Sequence, residues 1–106
     1  MAESRFVTIA ALEDVPPGQV RLATHGRLRL ALVRIGDQVF ALDAACSHSG
    51  APLTKGRVEG FMLSCPLHGS RFDVRSGRPE NPPALDRVRC YLARVTDEGI
   101  QVEIVE

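Results

Sequence analysis

Residues 46–69 read CSHSGAPLTKGRVEGFMLSCPLHG, from Cys46-Ser47-His48 to Cys65-Pro66-Leu67-His68-Gly69. Two cysteines and two histidines stand here as paired hooks, one Cys-x-His and one Cys-x-x-His, with residues 49–64 between them. Thiolate sulfur is a soft metal ligand, and neutral imidazole suits iron or zinc. Each hook offers one of each, so two facing loops would turn their sulfurs toward one metal position and their nitrogens toward another. Gly50 and Gly69 follow the hooks and allow tight backbone reversals, which also bring backbone N–H groups near the sulfurs. A structural zinc site is the alternative for such a donor set. Zinc hooks, however, pair like with like, as C-x₂₋₄-C and H-x₃₋₅-H, and the mixed pairing here departs from that pattern.

The flanks of this stretch read as strands. Phe6 to Ile9 is a first strand, and Pro16-Pro17-Gly18 forces a turn. Val20 to Thr24 and a turn at His25-Gly26 follow. Leu28, Leu30 and Leu32 alternate with Arg29 and Ala31, which predicts a strand with one face buried. Gly36-Asp37 closes a hairpin onto Val39 to Leu42. Beyond the hooks, Val88, Cys90 and Leu92 alternate with Arg87, Arg89 and Tyr91, and Cys90 is expected as a buried, inert thiol on that apolar face. Asp97-Glu98-Gly99 turns into a last strand carrying Ile100, Val102 and Ile104. From Asp43 to about Pro83 the chain is dense in Gly and Pro, and only Phe61 to Leu63 and Arg71 to Val74 read as strands. The expectation is one all-β domain over residues 1–106, an antiparallel sandwich or barrel. Its base comes from residues 1–42 and 84–106, with a ligand-bearing lobe inserted over about 43–83.

The 106 residues allow one modest core. Thirteen basic and thirteen acidic residues give a formal net charge of zero, which withholds the basic footprint of a nucleic-acid binder. Between Ala44 and Glu80, five basic residues face three acidic ones, a net of about +2 that reads either as a solvated surface of mixed sign or as a weakly basic rim offered to a partner. Three cysteines are an odd count for a disulfide framework. The acidic, soon-interrupted amino terminus does not read as a signal peptide, and no apolar stretch approaches membrane-spanning length. A cytoplasmic protein, free of membrane, is therefore expected. Asp73 is placed to hold an arginine or cap a turn.

Cys46-Ser47-His48-Ser49-Gly50 and Cys65-Pro66-Leu67-His68-Gly69-Ser70-Arg71-Phe72-Asp73 resemble the two ligand boxes of the Rieske family. The resemblance runs on through Gly77 and the Pro79 to Pro83 loop to the Gly99-Ile100-Gln101-Val102 hairpin. It implies a Rieske-type fold with one [2Fe–2S] cluster per chain, in which two Cys bind one iron and two His the other. Cys46 and Cys65 would bind the inner iron, and His48 and His68 the outer one. Gly50, Gly69, Ser70, Phe72 and Pro82 would line the cluster, with the proline-rich segment as its cover. No catalytic residue is implied.

The departures from the family pattern carry information. Respiratory Rieske proteins add one cysteine to each loop, joined as a disulfide, where this chain has Ala51 and Leu67. They also place a tyrosine, as a donor to a ligand sulfur, where this chain has Phe72. Fewer donors to sulfur disfavour the more negative reduced cluster, so the resemblance implies a low potential. It is similar to the small ferredoxins of bacterial ring-hydroxylating dioxygenase systems. These relay electrons from an NAD(P)H-dependent flavoprotein reductase to a terminal Rieske oxygenase, here as a monomer when free. Docking would use an apolar tip of Ala51, Pro52, Leu53, Pro66 and Leu67. The alternative is a small Rieske subunit of another oxidoreductase, such as assimilatory nitrite reductase.

Overall fold

Two antiparallel sheets pack face to face, and a third small sheet is inserted in the chain between Asp43 and Cys90. The computed structural model describes residues 4–47, 49–67, 69–81 and 86–105. One base sheet has the order β1-β10-β9, from Ser4–Ala10, Gly99–Val105 and Ala93–Thr96. The other has the order β2-β3-β4-β8, from Val20–His25, Leu28–Ile35, Gln38–Asp43 and Cys90–Tyr91. The inserted sheet is a meander of β5, Arg57–Glu59, β6, Met62–Ser64, and β7, Arg71–Asp73. The all-β antiparallel architecture therefore stands. No helix among the described residues is long and apolar enough to cross a membrane.

Valine, isoleucine and leucine at alternate positions account for the base strands, because a pleated strand turns successive side chains to opposite faces. Ile100, Val102 and Ile104 are buried along β10, opposite β1 in a register that pairs Val7 with Val102. The reading of β3 as a strand with one buried face is corrected by the structure. Leu30 and Leu32 enter the core between the two base sheets, beside Val39, Ile100 and Val102. Ala31 and Val33 enter a second cluster with Leu53, Leu63, Phe72 and Val74. Both faces are covered because the inserted sheet packs on the side that the alternation had left to solvent. The small Ala31 side chain fits that close contact and does not read as apolar in a sequence pattern.

The segment 88–92 also differs from its reading. Val88 is buried, but Leu92 is 62% exposed, and the chain changes sheets there, from β8 to β9. Tyr91, expected on the outer face, packs instead against the base core. Its hydroxyl donates to Asp43 Oδ1 at 2.6 Å. Cys90 is only half-buried, with its sulfur near the Val74 and Val88 carbonyls at 3.8 and 3.9 Å. β5 was not anticipated from sequence.

Candidate metal centre

Strands deliver both cysteines. β4 ends at Asp43 and leads to Cys46; β6 ends at Ser64 and leads directly to Cys65. The two loops then close in the same way. Cys46 N–H donates to the Ala51 carbonyl at 2.9 Å, and Gly50 N–H returns to the Cys46 carbonyl at 2.9 Å. In the second loop Cys65 N–H donates to the Ser70 carbonyl at 2.7 Å, and Gly69 N–H returns to the Cys65 carbonyl at 3.2 Å. Gly50 and Gly69 hold φ of 72° and 75°, the left-handed region that glycine enters without penalty. The loops are thus twins of six residues, each with cysteine first and glycine fifth. The histidine is third in one loop and fourth in the other. His48, His68 and Pro82 lie outside the described residues.

Both cysteines are buried, at 4% and 3% exposure, and both belong to the cluster that holds Leu53, Leu63 and Phe72. A thiolate in such surroundings is costly unless it is paired, coordinated or hydrogen-bonded. Two unbridged thiols from twin loops fit a soft-ligand centre such as an iron–sulfur cluster. Ser49 contributes further, because its Oγ lies 3.7 Å from Cys65 Sγ, across from one loop to the other. Ser70 is 1% exposed, the sole buried polar side chain among the described residues, and Phe72 is fully buried on β7. Both flank the second loop.

The surroundings tie the loops down. Pro79 bridges to Phe72, and Glu80 N–H donates to the Arg71 carbonyl at 2.7 Å. The Asn81 side chain accepts from Arg71 N–H at 2.7 Å and donates to the Gly69 carbonyl at 3.3 Å. On the other loop, Ser47 Oγ donates to the Asp86 carbonyl at 2.6 Å. Ser47, Ser49 and Asn81 were not singled out from sequence, where loop serines and asparagines carry no distinguishing signal. Asp73 both holds an arginine and caps a turn. It accepts from Arg75 Nε at 3.0 Å, NH2 at 2.8 Å and the backbone N–H at 2.9 Å. The Arg75 side-chain hydrogen bond holds its carboxyl below the usual range.

The expected docking tip needs correction. Leu53 is 0% and Ala51 9% exposed, because Leu53 N–H bonds the Ala44 carbonyl at 2.7 Å and folds the side chain inward. Pro52 and Pro66 are exposed, and Leu67 is 62% exposed. The surface tip thus reduces to Pro52, Pro66 and Leu67. Beside it, Arg27, Arg29, Asp43, Gly50, Pro52 and Thr54 line an open concavity of about 390 Å³.

Comparison with known proteins agrees with this geometry. The chain is 38% identical over 92 residues to the anthranilate 1,2-dioxygenase ferredoxin subunit of Burkholderia cepacia, covering 87% of this chain and 82% of that one. A chain in the solved complex of reduced oxygenase and oxidised ferredoxin of carbazole 1,9a-dioxygenase superposes with a TM-score of 0.84 at 31% identity. That match covers 92% of this chain and 91% of the other. A putative NADH-dependent nitrite reductase small subunit from Mycobacterium tuberculosis superposes at 0.85 with 28% identity, over 98% of both chains. The model of the Rieske [2Fe–2S] domain matches residues 5–92. Twin loops, two buried cysteines and a match over most of the sequence lead to one conclusion: this chain belongs to the Rieske [2Fe–2S] domain family, and its cofactor is a [2Fe–2S] cluster.

Proposed function

We propose that the protein is an electron carrier of low potential, which takes single electrons from an NAD(P)H-dependent flavoprotein reductase and gives them to a terminal aromatic-ring oxygenase. The observation that carries this reading is the pair of loops with buried cysteines, brought together at the 3.7 Å contact of Ser49 with Cys65, while Pro52, Pro66 and Leu67 on or beside them stay exposed. The cluster, when bound, supplies reversible one-electron chemistry. In this reading Cys46 and Cys65 hold one iron, and His48 and His68 hold the other. Residues 43–83 form the cluster lobe on a base of residues 1–42 and 84–106. Leu53, Leu63 and Phe72 exclude water from the sulfur side. Gly50 and Gly69 let the chain reverse through a positive φ that other residues enter at a cost. Transient redox contacts are small and exchange quickly, so a tip of three residues is sufficient. Arg27 and Arg29 beside Pro52 add positive charge at its edge, which suits an acidic partner face.

The relatives named as dioxygenase ferredoxins support the oxygenase assignment. The resemblance to a nitrite reductase small subunit favours a second reading, a subunit held in a stable complex. The test uses the cluster-loaded protein, purified reductase and purified oxygenase. The parent should show a midpoint below 0 mV, within a family span of roughly −150 to +300 mV. Leu67→Glu should leave the visible spectrum and midpoint unchanged, yet slow electron transfer with a partner about tenfold, as loss of about 1.4 kcal/mol of contact energy would. Unchanged partner kinetics would move docking to another face. Co-purification in a fixed stoichiometric complex would favour the subunit reading.

A further inference from the structure

Ser49 Oγ lies 3.7 Å from Cys65 Sγ, part-buried, and either atom is geometrically able to donate. Chemistry removes the ambiguity. A cysteine that binds metal does so as a thiolate, which has no proton to give, so the hydroxyl is the donor. Ser49 Oγ is also engaged on its acceptor side, because Ala51 N–H donates to it at 3.2 Å. The hydroxyl proton is thereby left for the sulfur, and the two bonds polarise one another in the same direction. Ser49 belongs to the Cys46 loop, whereas the sulfur it reaches belongs to the Cys65 loop.

We propose that Ser49 is a tuning residue, whose hydroxyl donates a hydrogen bond to the Cys65 ligand sulfur and raises the reduction potential of the centre. Reduction places one more negative charge on the cluster and its ligands. A donor to a ligand sulfur therefore stabilises the reduced form more than the oxidised form. Phe72 carries no hydroxyl, so Ser49 supplies from the first loop a donor that the aromatic position on β7 does not. The inference rests on the family cofactor and on the proposed role of Cys65 as a ligand, and is independent of which partners the carrier serves.

The competing explanation is purely local. In that case the hydroxyl only accepts from Ala51 N–H, as serine does in many turns, and its distance to sulfur is incidental. Ser49→Ala and Ser49→Thr distinguish the two, because threonine keeps the hydroxyl. Each variant, purified with its cluster, is assayed for iron and sulfide and then titrated for its midpoint potential. Ser49→Ala should retain two irons and two sulfides while its reduced-to-oxidised ratio at fixed ambient potential falls about fivefold. That is roughly 40 mV downward for a one-electron couple at 59 mV per decade. Ser49→Thr should stay near the parent. A fully loaded Ser49→Ala with the parent's midpoint overturns the proposal, as does an equal shift in both variants.

Should Ser49→Ala fail to load, resonance Raman spectra of the parent in H₂O and D₂O decide instead. The iron–sulfur stretching bands should shift on exchange of the donor proton, and their invariance overturns the proposal. A parent without cluster would overturn the premise as well, and iron content tells that failure apart from the others.

Discussion

Leu53→Ala tests whether the ligand loops are supported from within. Leu53 follows the first loop after Pro52, is 0% exposed, and packs in the cluster that contains both cysteines. Truncation removes three carbons, worth about 0.8 kcal/mol each in lost transfer energy. A cavity penalty is added because Leu63 and Phe72, both fully buried, sit on separate strands and cannot collapse freely into the space. The total is about 3–4 kcal/mol, inside the usual range of about 2–5 kcal/mol for such a change. At roughly 4–8 °C per kcal/mol for a domain near this size, the melting temperature should fall by about 12–32 °C. The assay is thermal unfolding of cluster-loaded protein by far-ultraviolet circular dichroism at a fixed scan rate, with parent and variant matched in iron content. Visible-region dichroism on the same samples reports the centre itself. Leu67→Ala, at an exposed site of the twin loop, should stay within about 0.5 kcal/mol of the parent. A drop of under about 5 °C for Leu53→Ala, equivalent to about 1 kcal/mol or less, would refute the assignment of Leu53 to the interior.

Two further predictions follow from the base and the loops. Tyr91 is the chain's one tyrosine, and burial, followed by its hydrogen bond to Asp43, pushes its phenol up to about 12. Its neutral form is the one the fold favours, so that stabilisation is complete below pH 10 and lost as the pH rises toward 12. A phenolate absorbance titration should show the late ionisation, and Tyr91→Phe should lack that part of the alkaline loss of stability; ionisation at the ordinary value would contradict the buried pairing. Gly50→Ala and Gly69→Ala meet positive φ with no atom within 4 Å of the new Cβ. Their cost should therefore be conformational alone, about 1–2 kcal/mol and alike in both loops. Urea melts measure it, and a large inequality would argue that the loops are not equivalent.

The sequence was legible where periodicity is long enough to count. Val7, Ile9, Ile100, Val102 and Ile104 fall on alternate positions of strands of seven residues, and those strands form as read. Periodicity fails for Arg57–Glu59, where three residues cannot establish an alternation. It misleads at Leu53, because an apolar residue in a Gly- and Pro-rich loop gives no sign of which way it turns. There the Ala44–Leu53 hydrogen bond decides. The hooks were readable because metal chemistry restricts residue type. The closures of the two loops were not, since they depend on backbone carbonyls and a positive φ at the fifth residue. Ser49 is hidden for a related reason, because only the juxtaposition of loops from two different strands brings its hydroxyl to Cys65.

β3 has a consequence for folding. Leu30 and Leu32 belong to one cluster and Ala31 and Val33 to the other, so a single strand is the common wall of both interiors. Neither interior can open fully while β3 stays ordered against its neighbours. Opening one strips apolar cover from a strand that the other requires. Base and loop region should therefore lose structure in a single cooperative transition, although they are built from three separate sheets. The amides of Ala31 and Leu32, on a strand paired along both edges with β2 and β4, should be the last to exchange with solvent. The cysteine loops, whose Cys46 and Cys65 pack in the cluster that Ala31 and Val33 wall, thereby share in the stability of the whole molecule.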